Sequence, residues 1–267
     1  MISYKAGKYS KTSNFALNFK DVLEIVYEDA HYVGINKPNG LLVHRTRIAE
    51  ENKEFALQLL RDQLGYHLFT VHRLDRGTSG VLLFAKSPEA ATPIVKAFEE
   101  RLPDKLYYAI VRGYTAEAGT IDSPIQPDKD HKHKAAQDAV THYSRLATVE
   151  LQIPVGPYQT SRYSLIEIKP ETGRMHQIRK HCAHIRHYIV GDKRHGDWRH
   201  NKMFVEHFES SSLLLHAAQL RFVHPFTGEP VNIKAQLPLN IRRLCQQFNW
   251  TSVMASQEAL PQPIQFL

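Results

Sequence analysis

Cysteine is nearly absent from this chain: 267 residues include only Cys182 and Cys245, far apart and in no Cys-x-x-Cys pair. That excludes a disulfide framework and a thiolate zinc site, and it fits a reducing compartment. No apolar run approaches the roughly 20 residues a helix needs to span a bilayer. The first twenty residues carry four lysines, no acid and no apolar core of the secretory kind. Ser79 has no Gly-x-Ser-x-Gly elbow around it, and Gly173 and Gly191 form no phosphate loop. His181, His184 and His187 recur at helical spacing, but no His-Glu-x-x-His or suitable cysteine accompanies them and the residues between are basic. Basic neighbours repel a cation, so no metal site is expected. The expectation is a soluble, cytoplasmic protein with no membrane segment.

What is present is positive charge, unevenly spread. The net charge is +7 and the pI near 9.3, with an ordinary 42% hydrophobic and 23% charged content. Between Lys169 and Lys202 lie nine Lys or Arg, three acids and six histidines. A solvated basic face would account for such a block, and so would a polyanionic partner, since each neutralised phosphate releases counterion.

Strand and helix signals alternate irregularly. Apolar runs at Leu23–Tyr27, His31–Ile35 and Leu41–His44, with a turn at Pro38-Asn39-Gly40, predict a meander. Glu51–Leu64 reads as a helix capped by Gly65, and Ser87-Pro88 starts another. Strands are expected at Val81–Ala85, Tyr107–Val111, Val140–Leu146, Tyr163–Ile168, Leu213–Leu215, Leu220–Val223 and Val231–Ala235, with a helix over Met175–His187. Residues 126–139 read as a polar loop. The fold class is α+β, a mixed and mainly antiparallel sheet flanked by helices and loops. The layout is a basic arm at 1–20, one domain at 21–250 and a proline-bearing tail at 251–267.

Two segments carry chemistry. His72-Arg73-Leu74-Asp75-Arg76-Gly77-Thr78-Ser79-Gly80 places one carboxylate between basic residues, on a glycine-bracketed turn before a strand. Arg73 and Arg76 could steer phosphate toward it or balance its charge. Taken alone, Arg-Leu-Asp is commonly just a charged surface turn. In Lys169-Pro170-Glu171-Thr172-Gly173-Arg174-Met175-His176-Gln177-Ile178-Arg179 a strand ends, the chain turns and a helix begins. Met175, Ile178, Cys182 and Ile185 should face the core, with Arg179 at the margin of that face, partly buried and aimed at a carboxylate.

The full nonapeptide resembles the catalytic motif of the RluA family of pseudouridine synthases, and His176-Gln177-Ile178-Arg179, Lys105-Leu106-Tyr107-Tyr108-Ala109 and Leu214-Leu215-His216-Ala217 resemble three further family motifs in the family's order. The resemblance implies the pseudouridine synthase fold with a central active-site cleft. It implies Asp75 as the catalytic carboxylate, Arg179 as its partner and Tyr107 as the tyrosine that stacks on the target base. Arg73, His72, Thr78, Arg174, His176, Gln177 and Leu215 are the implied RNA- and substrate-binding residues, Arg73 filling the gap left by a flipped nucleotide. The implied reaction breaks N1–C1′ of a uridine and joins C5 to C1′, with Asp75 either attacking C1′ or removing a 2′ proton; it requires no cofactor and no metal.

Asn36-Lys37-Pro38-Asn39-Gly40-Leu41-Leu42-Val43-His44, Val140-Thr141-His142-Tyr143, Leu146-Ala147-Thr148-Val149-Glu150 and His224-Pro225-Phe226-Thr227-Gly228-Glu229-Pro230 narrow the resemblance to the family's bacterial transfer RNA branch. The implied substrate is a uridine in the T-arm stem and the implied state a monomer. Alternatives are the same reaction on ribosomal RNA, a non-catalytic binder of structured RNA, and a metal-dependent nuclease built on the histidines.

Overall fold

In chain order the computed structural model has β1 (Ile25–Glu28), β2 (Tyr32–Lys37), α1 (Ala56–Leu64), β3 (Phe69–Thr70) and β4 (Ser79–Ala85). Then come α2 (Pro88–Glu99), β5 (Asp104–Arg112), β6 (Ala118–Asp122), β7 (Val140–Leu151) and β8 (Ser161–Pro170). The last elements are α3 (Gln177–His184), α4 (Trp198–Phe208), β9 (Leu215–Val223), β10 (Pro230–Lys234) and α5 (Leu239–Gln247). The structure describes residues 22–44, 54–126, 135–251 and Ala255. The basic arm, nearly all of the tail and positions 127–134 of the polar loop lie outside these.

All ten strands join one sheet in the order β1-β2-β4-β9-β5-β8-β7-β6, with β3 added to β4 and β10 to β9. Every pairing is antiparallel except one: β4 meets β9 in parallel through Ser79↔His216 and Gly80↔Ala217. This junction comes directly after the Asp75 turn. All seven residues of β4 are buried, which is why Val81–Ala85 is an unbroken apolar run. Alternate residues go to opposite faces: Leu82 and Phe84 pack with Leu60 of α1, whereas Val81 and Leu83 pack with Ile94 of α2. The other half of the sheet repeats the pattern, Tyr108 and Ile110 of β5 against α4 and α5, Ala109 and Val111 against α3. The mixed, mainly antiparallel α+β expectation holds.

Several boundaries differ from the sequence reading. Leu41–His44 is no strand; Leu42 makes a single bridge to Phe55. The two short late strands are one, β9, because the ladder runs through His216–Gln219 although those residues carry little strand preference. The helix predicted over 175–187 spans only Gln177–His184, and Met175 is 48% exposed rather than in the core. The cause is His176, whose left-handed φ of 56° turns the chain just before the first helical residue. α2 starts as expected: Ser87 Oγ accepts from Ala90 N at 3.1 Å, and the helix continues through Pro93.

Candidate active site

The Asp75 turn is fastened to the 37–41 turn by backbone groups and one buried cation. Thr78 N donates to Asp75 O at 3.1 Å, and Gly40 N donates to Arg76 O at 2.8 Å. Lys37, fully buried, donates to the carbonyls of Pro38 and Leu41, both at 2.9 Å, and of Arg76 at 3.3 Å. Burial pushes its pKa down to about 7 against the pull of the Asp75 charge. Asn39 adds hydrogen bonds to the carbonyls of Gly77 and Leu213. The strand entering β9 is thereby tied to the same turn.

Arg179, 104 residues away in sequence, reaches Asp75 from the first turns of α3: Nη1 donates to Oδ2 at 3.1 Å. The rest of its fork lies side-on to Asp192, Nε to Oδ2 at 2.7 Å and Nη2 to Oδ1 at 2.8 Å. Asp192 is 1% exposed and also accepts the N–H groups of Arg194 and His195 at 2.9 Å each. Burial alone would raise its pKa, but the Arg179 and backbone hydrogen bonds outweigh that and hold it below the usual carboxylate range. Asn201 of α4 bonds Gly191 N at 2.8 Å and Asp192 O at 2.9 Å. A chain of contacts thus runs from α4 through Asp192 and Arg179 to Asp75. Among the described residues Arg179 holds Asp75 Oδ2 and no donor is bonded to Oδ1.

A cavity of about 410 Å³ opens over this carboxylate, and all ten residues singled out in the sequence line it. Tyr107 packs against the clusters on both sides of it, and burial together with the Asp75 charge pushes its phenol pKa up. At neutral pH it is therefore a hydrogen-bond donor. Leu215 and Thr78 are buried in the wall. His176 stands with Nε2 3.8 Å from Asp75 Oδ2 and Nδ1 2.9 Å from His195 Nε2. Burial takes the His195 pKa down to about 4. Arg73 is exposed at the rim, and Arg174 donates from Nε to Asp138 O at 3.2 Å.

His72 and Gln177 are also engaged within the protein. His72 Nε2 accepts from Leu83 N at 2.9 Å and its ring stacks on Phe98; burial, then the charge of Lys105, lowers its pKa to about 3. Gln177 accepts from Thr172 Oγ1 at 2.5 Å and Arg174 N at 3.0 Å, and donates to Val140 O and Thr141 Oγ1, both at 3.0 Å. Its amide is fully used in holding the 172–177 turn. The sequence reading missed Asp192, Asn201 and Lys37. The only local signal for Asp192 was a Gly-Asp pair inside the basic block, a pattern that Gly196-Asp197 repeats five residues on.

The histidines at 181 and 187 point to separate partners. His181 contacts Thr141 Oγ1 and Ser123 O, and His187 contacts Arg112 O. Among the described residues one group has ligand-like spacing, Asp29, His31 and His224. There His224 Nδ1 accepts the N–H groups of Phe226 and Thr227, and its Nε2 lies 3.1 Å from Asp29 Oδ2. Asp29 also accepts from the N–H groups of His31 and Tyr32 at 2.7 Å each and from the Tyr27 hydroxyl. These bonds close the turns after β1 and β9 and spend the lone pairs an ion would need.

A family model described as RNA pseudouridylate synthase matches residues 31–184, a span that contains Asp75, Tyr107 and Arg179. The chain belongs to the RNA pseudouridylate synthase family. It is therefore an isomerase, a pseudouridine synthase of the RluA type. Similar proteins include the tRNA pseudouridine synthase C of Vibrio parahaemolyticus, 48% identical over 235 residues, or 85% of this chain and 96% of that one. The protein of the same description from Yersinia pestis is 45% identical over 250 residues, covering 91% and 97%. Human RNA pseudouridylate synthase domain containing 4 shares the fold, with a TM-score of 0.64 at 26% identity over 85% of this chain and 93% of that chain. No helix among the described residues of this synthase is long and apolar enough to cross a membrane.

Proposed function

We propose that this synthase converts a uridine in the T-arm stem of transfer RNA to pseudouridine, with Asp75 as the catalytic carboxylate. The observation that carries the Asp75 assignment is its setting: one oxygen fixed by Arg179, the other with no bonded donor among the described residues, in a cavity walled by Tyr107 and Leu215. Transfer RNA as substrate is supported by the description of the relatives, and the T-arm stem by the motifs shared with that branch.

The chemistry follows from bond balance. N1–C1′ breaks, the uracil turns within the cavity, C5 bonds to C1′, and the C5 proton is lost while N1 gains one. No electrons are exchanged with a second reactant. A target inside a stacked helix is out of reach of Asp75, so the nucleotide is flipped into the cavity and Arg73 at the rim takes its place in the stack. Asp75 Oδ1 meets the sugar, attacking C1′ or removing the 2′ proton, while Arg179 stabilises the carboxylate from behind. The Tyr107 phenol stacks on and hydrogen-bonds the detached uracil. The basic stretch from Lys169 to Lys202 follows the phosphate backbone. On this reading residues 21–250 are the catalytic domain of a cytoplasmic monomer.

The test is tritium release from transcripts labelled at uridine C5, with wild type and Asp75→Asn on transfer RNA and on ribosomal RNA fragments. Release from transfer RNA by wild type alone is expected, with the product mapped to the T-arm stem. Release from ribosomal fragments only would overturn the substrate, and an active Asp75→Asn would overturn the residue assignment. RNA binding with no release from any transcript would leave the non-catalytic binder.

A further inference from the structure

A second cavity, of about 690 Å³, adjoins the catalytic one and shares Arg101, Lys105 and Pro170 with it. Arg101 stands at this junction for a reason its backbone makes conspicuous. Helix α2 ends in a paired cap: Leu102 N donates to Ala97 O at 3.0 Å and Arg101 N to Phe98 O at 3.2 Å. This is the Schellman arrangement, whose residue past the cap takes a left-handed conformation and is usually glycine. Here that residue is arginine at a φ of 62°, and its side chain is exposed. Glycine reaches this conformation without steric cost and an L-residue does not. The helix end would be better served by glycine, so the arginine side chain must be useful elsewhere.

The charges around the junction are unevenly matched. In the second cavity Glu167 pairs with Lys169 at 3.1 Å and Glu171 with His142 at 2.6 Å. Asp104 sits opposite Arg221 in the β5–β9 ladder. Arg101 and Lys105 have no carboxylate within ion-pair distance among the described residues. Lys105 gives one hydrogen bond, to Thr172 O at 3.3 Å. Its burial, and then the nearby positive charge of Arg101, push its pKa down. The Asp104 charge acts on Lys105 in the opposite sense but makes no ion pair with either cation, so an anion that bridges Arg101 and Lys105 would stabilise both.

We infer that Arg101 and Lys105 form a phosphate seat between the two cavities, occupied by a backbone phosphodiester of the RNA strand adjacent to the flipped nucleotide. The inference rests on the catalytic reading above for the orientation of the strand. A nucleotide whose base is in the catalytic cavity must send its backbone out through the mouth, and this mouth holds the unmatched charge. The second cavity then receives the continuation of the strand.

The backbone strain supplies a test in which folding and binding move in opposite directions. Arg101→Gly removes the charge and relieves the left-handed position, so its melting temperature should equal or exceed that of wild type. Its affinity for a transfer RNA transcript, measured by filter retention over a potassium chloride series, should fall several-fold at low salt. The slope of log affinity against log salt should shrink by roughly 0.7–0.9, the share of one phosphate contact. Arg101→Lys should keep most of that slope, and Lys105→Gln should reduce it. Arg243→Ala, an exposed cation on α5 lining neither cavity, serves as the control and should leave the slope as in wild type. Wild-type affinity and slope in Arg101→Gly would overturn the seat. So would an equal loss of slope in Arg243→Ala, since the effect would then be net charge alone. If wild type releases no tritium from any transcript yet Arg101→Gly lowers the salt slope, the catalytic reading falls and the seat stands.

Discussion

At the scale of single residues, Asp75 and Asp192 share Arg179 but do different work. Asp192 satisfies two of the guanidinium nitrogens and two backbone N–H groups in a site almost closed to solvent, while Asp75 takes one nitrogen at the cavity edge. Removing one partner of a buried pair leaves the other uncompensated. Asp192→Asn should therefore lower stability by about 3 kcal/mol in urea melts. It should also lower turnover more than tenfold, because Arg179 loses the support that aims it. Asp75→Asn should show the reverse pattern. Its melt should stay within about 1 kcal/mol of wild type, since Arg179 keeps Asp192, while turnover falls by roughly 10²–10⁴-fold or more. Equal stability losses in the two variants would contradict this division of roles.

At the scale of elements, the parallel meeting of β4 and β9 is the joint between the two halves of the sheet, and Gly80 makes it possible. Its φ is +111°, and a Cβ there would lie 2.1 Å from Ala217 O. No side chain moves aside to relieve a backbone contact of that kind. Gly80→Ala is expected to cost more than about 3 kcal/mol or to prevent folding, read from thermal melts and from the soluble yield. A melt matching wild type would show that the joint can open. Helix α2 offers a milder case. Ser87→Ala removes one N-terminal hydrogen bond and should cost about 1 kcal/mol by the same melts, with turnover at saturating RNA measured alongside. Both variants act on the frame that holds the Asp75 turn, yet only Gly80 lies at its base.

Over the whole molecule the buried histidines set the response to acid. Burial lowers the pKa of His216 and of His200 to about 4 and that of His72 to about 3. His216 is fully enclosed, with Nδ1 2.9 Å from Ser79 Oγ and Nε2 3.2 Å from Ala235 O, and so is neutral in the fold. An unfolded histidine takes up its proton near pH 6.5. Between that pH and 4 the unfolded state binds more protons, so stability is lost as the pH falls through this window. For His216 alone the loss is on the order of 3 kcal/mol across the window. Asp192, with its pKa lowered, contributes stability above the unfolded carboxylate value near 3.9 and loses it below. Melting temperature should decline from pH 7 to pH 4.5, and the decline should be shallower in His216→Gln. A flat profile in wild type would mean that these rings are protonated in the folded state.

How much of this was legible before folding depended on how local the cause was. The Asp75 turn, the Ser87-Pro88 helix start, the Gly65 cap and the apolar run of β4 are decided by neighbours within a few residues, and the sequence by itself determined them. It also determined the charge and the chemical types that line the cavity, including Asp75, Tyr107 and Arg179. Other features depend on partners far along the chain. Gly80 must be glycine only because β9 passes alongside, and Asp192 matters only because Arg179 and Asn201 converge on it. Leu215–Val223 becomes one strand because β5 and β10 supply its hydrogen bonds, and Met175 is exposed because the His176 turn redirects the chain. Arg101 looks like any charge at a helix end until the two cavities meet there. Turn chemistry and side-chain type are written locally, whereas pairing direction, burial and the sharing of one cation by two carboxylates exist only once distant segments are packed together.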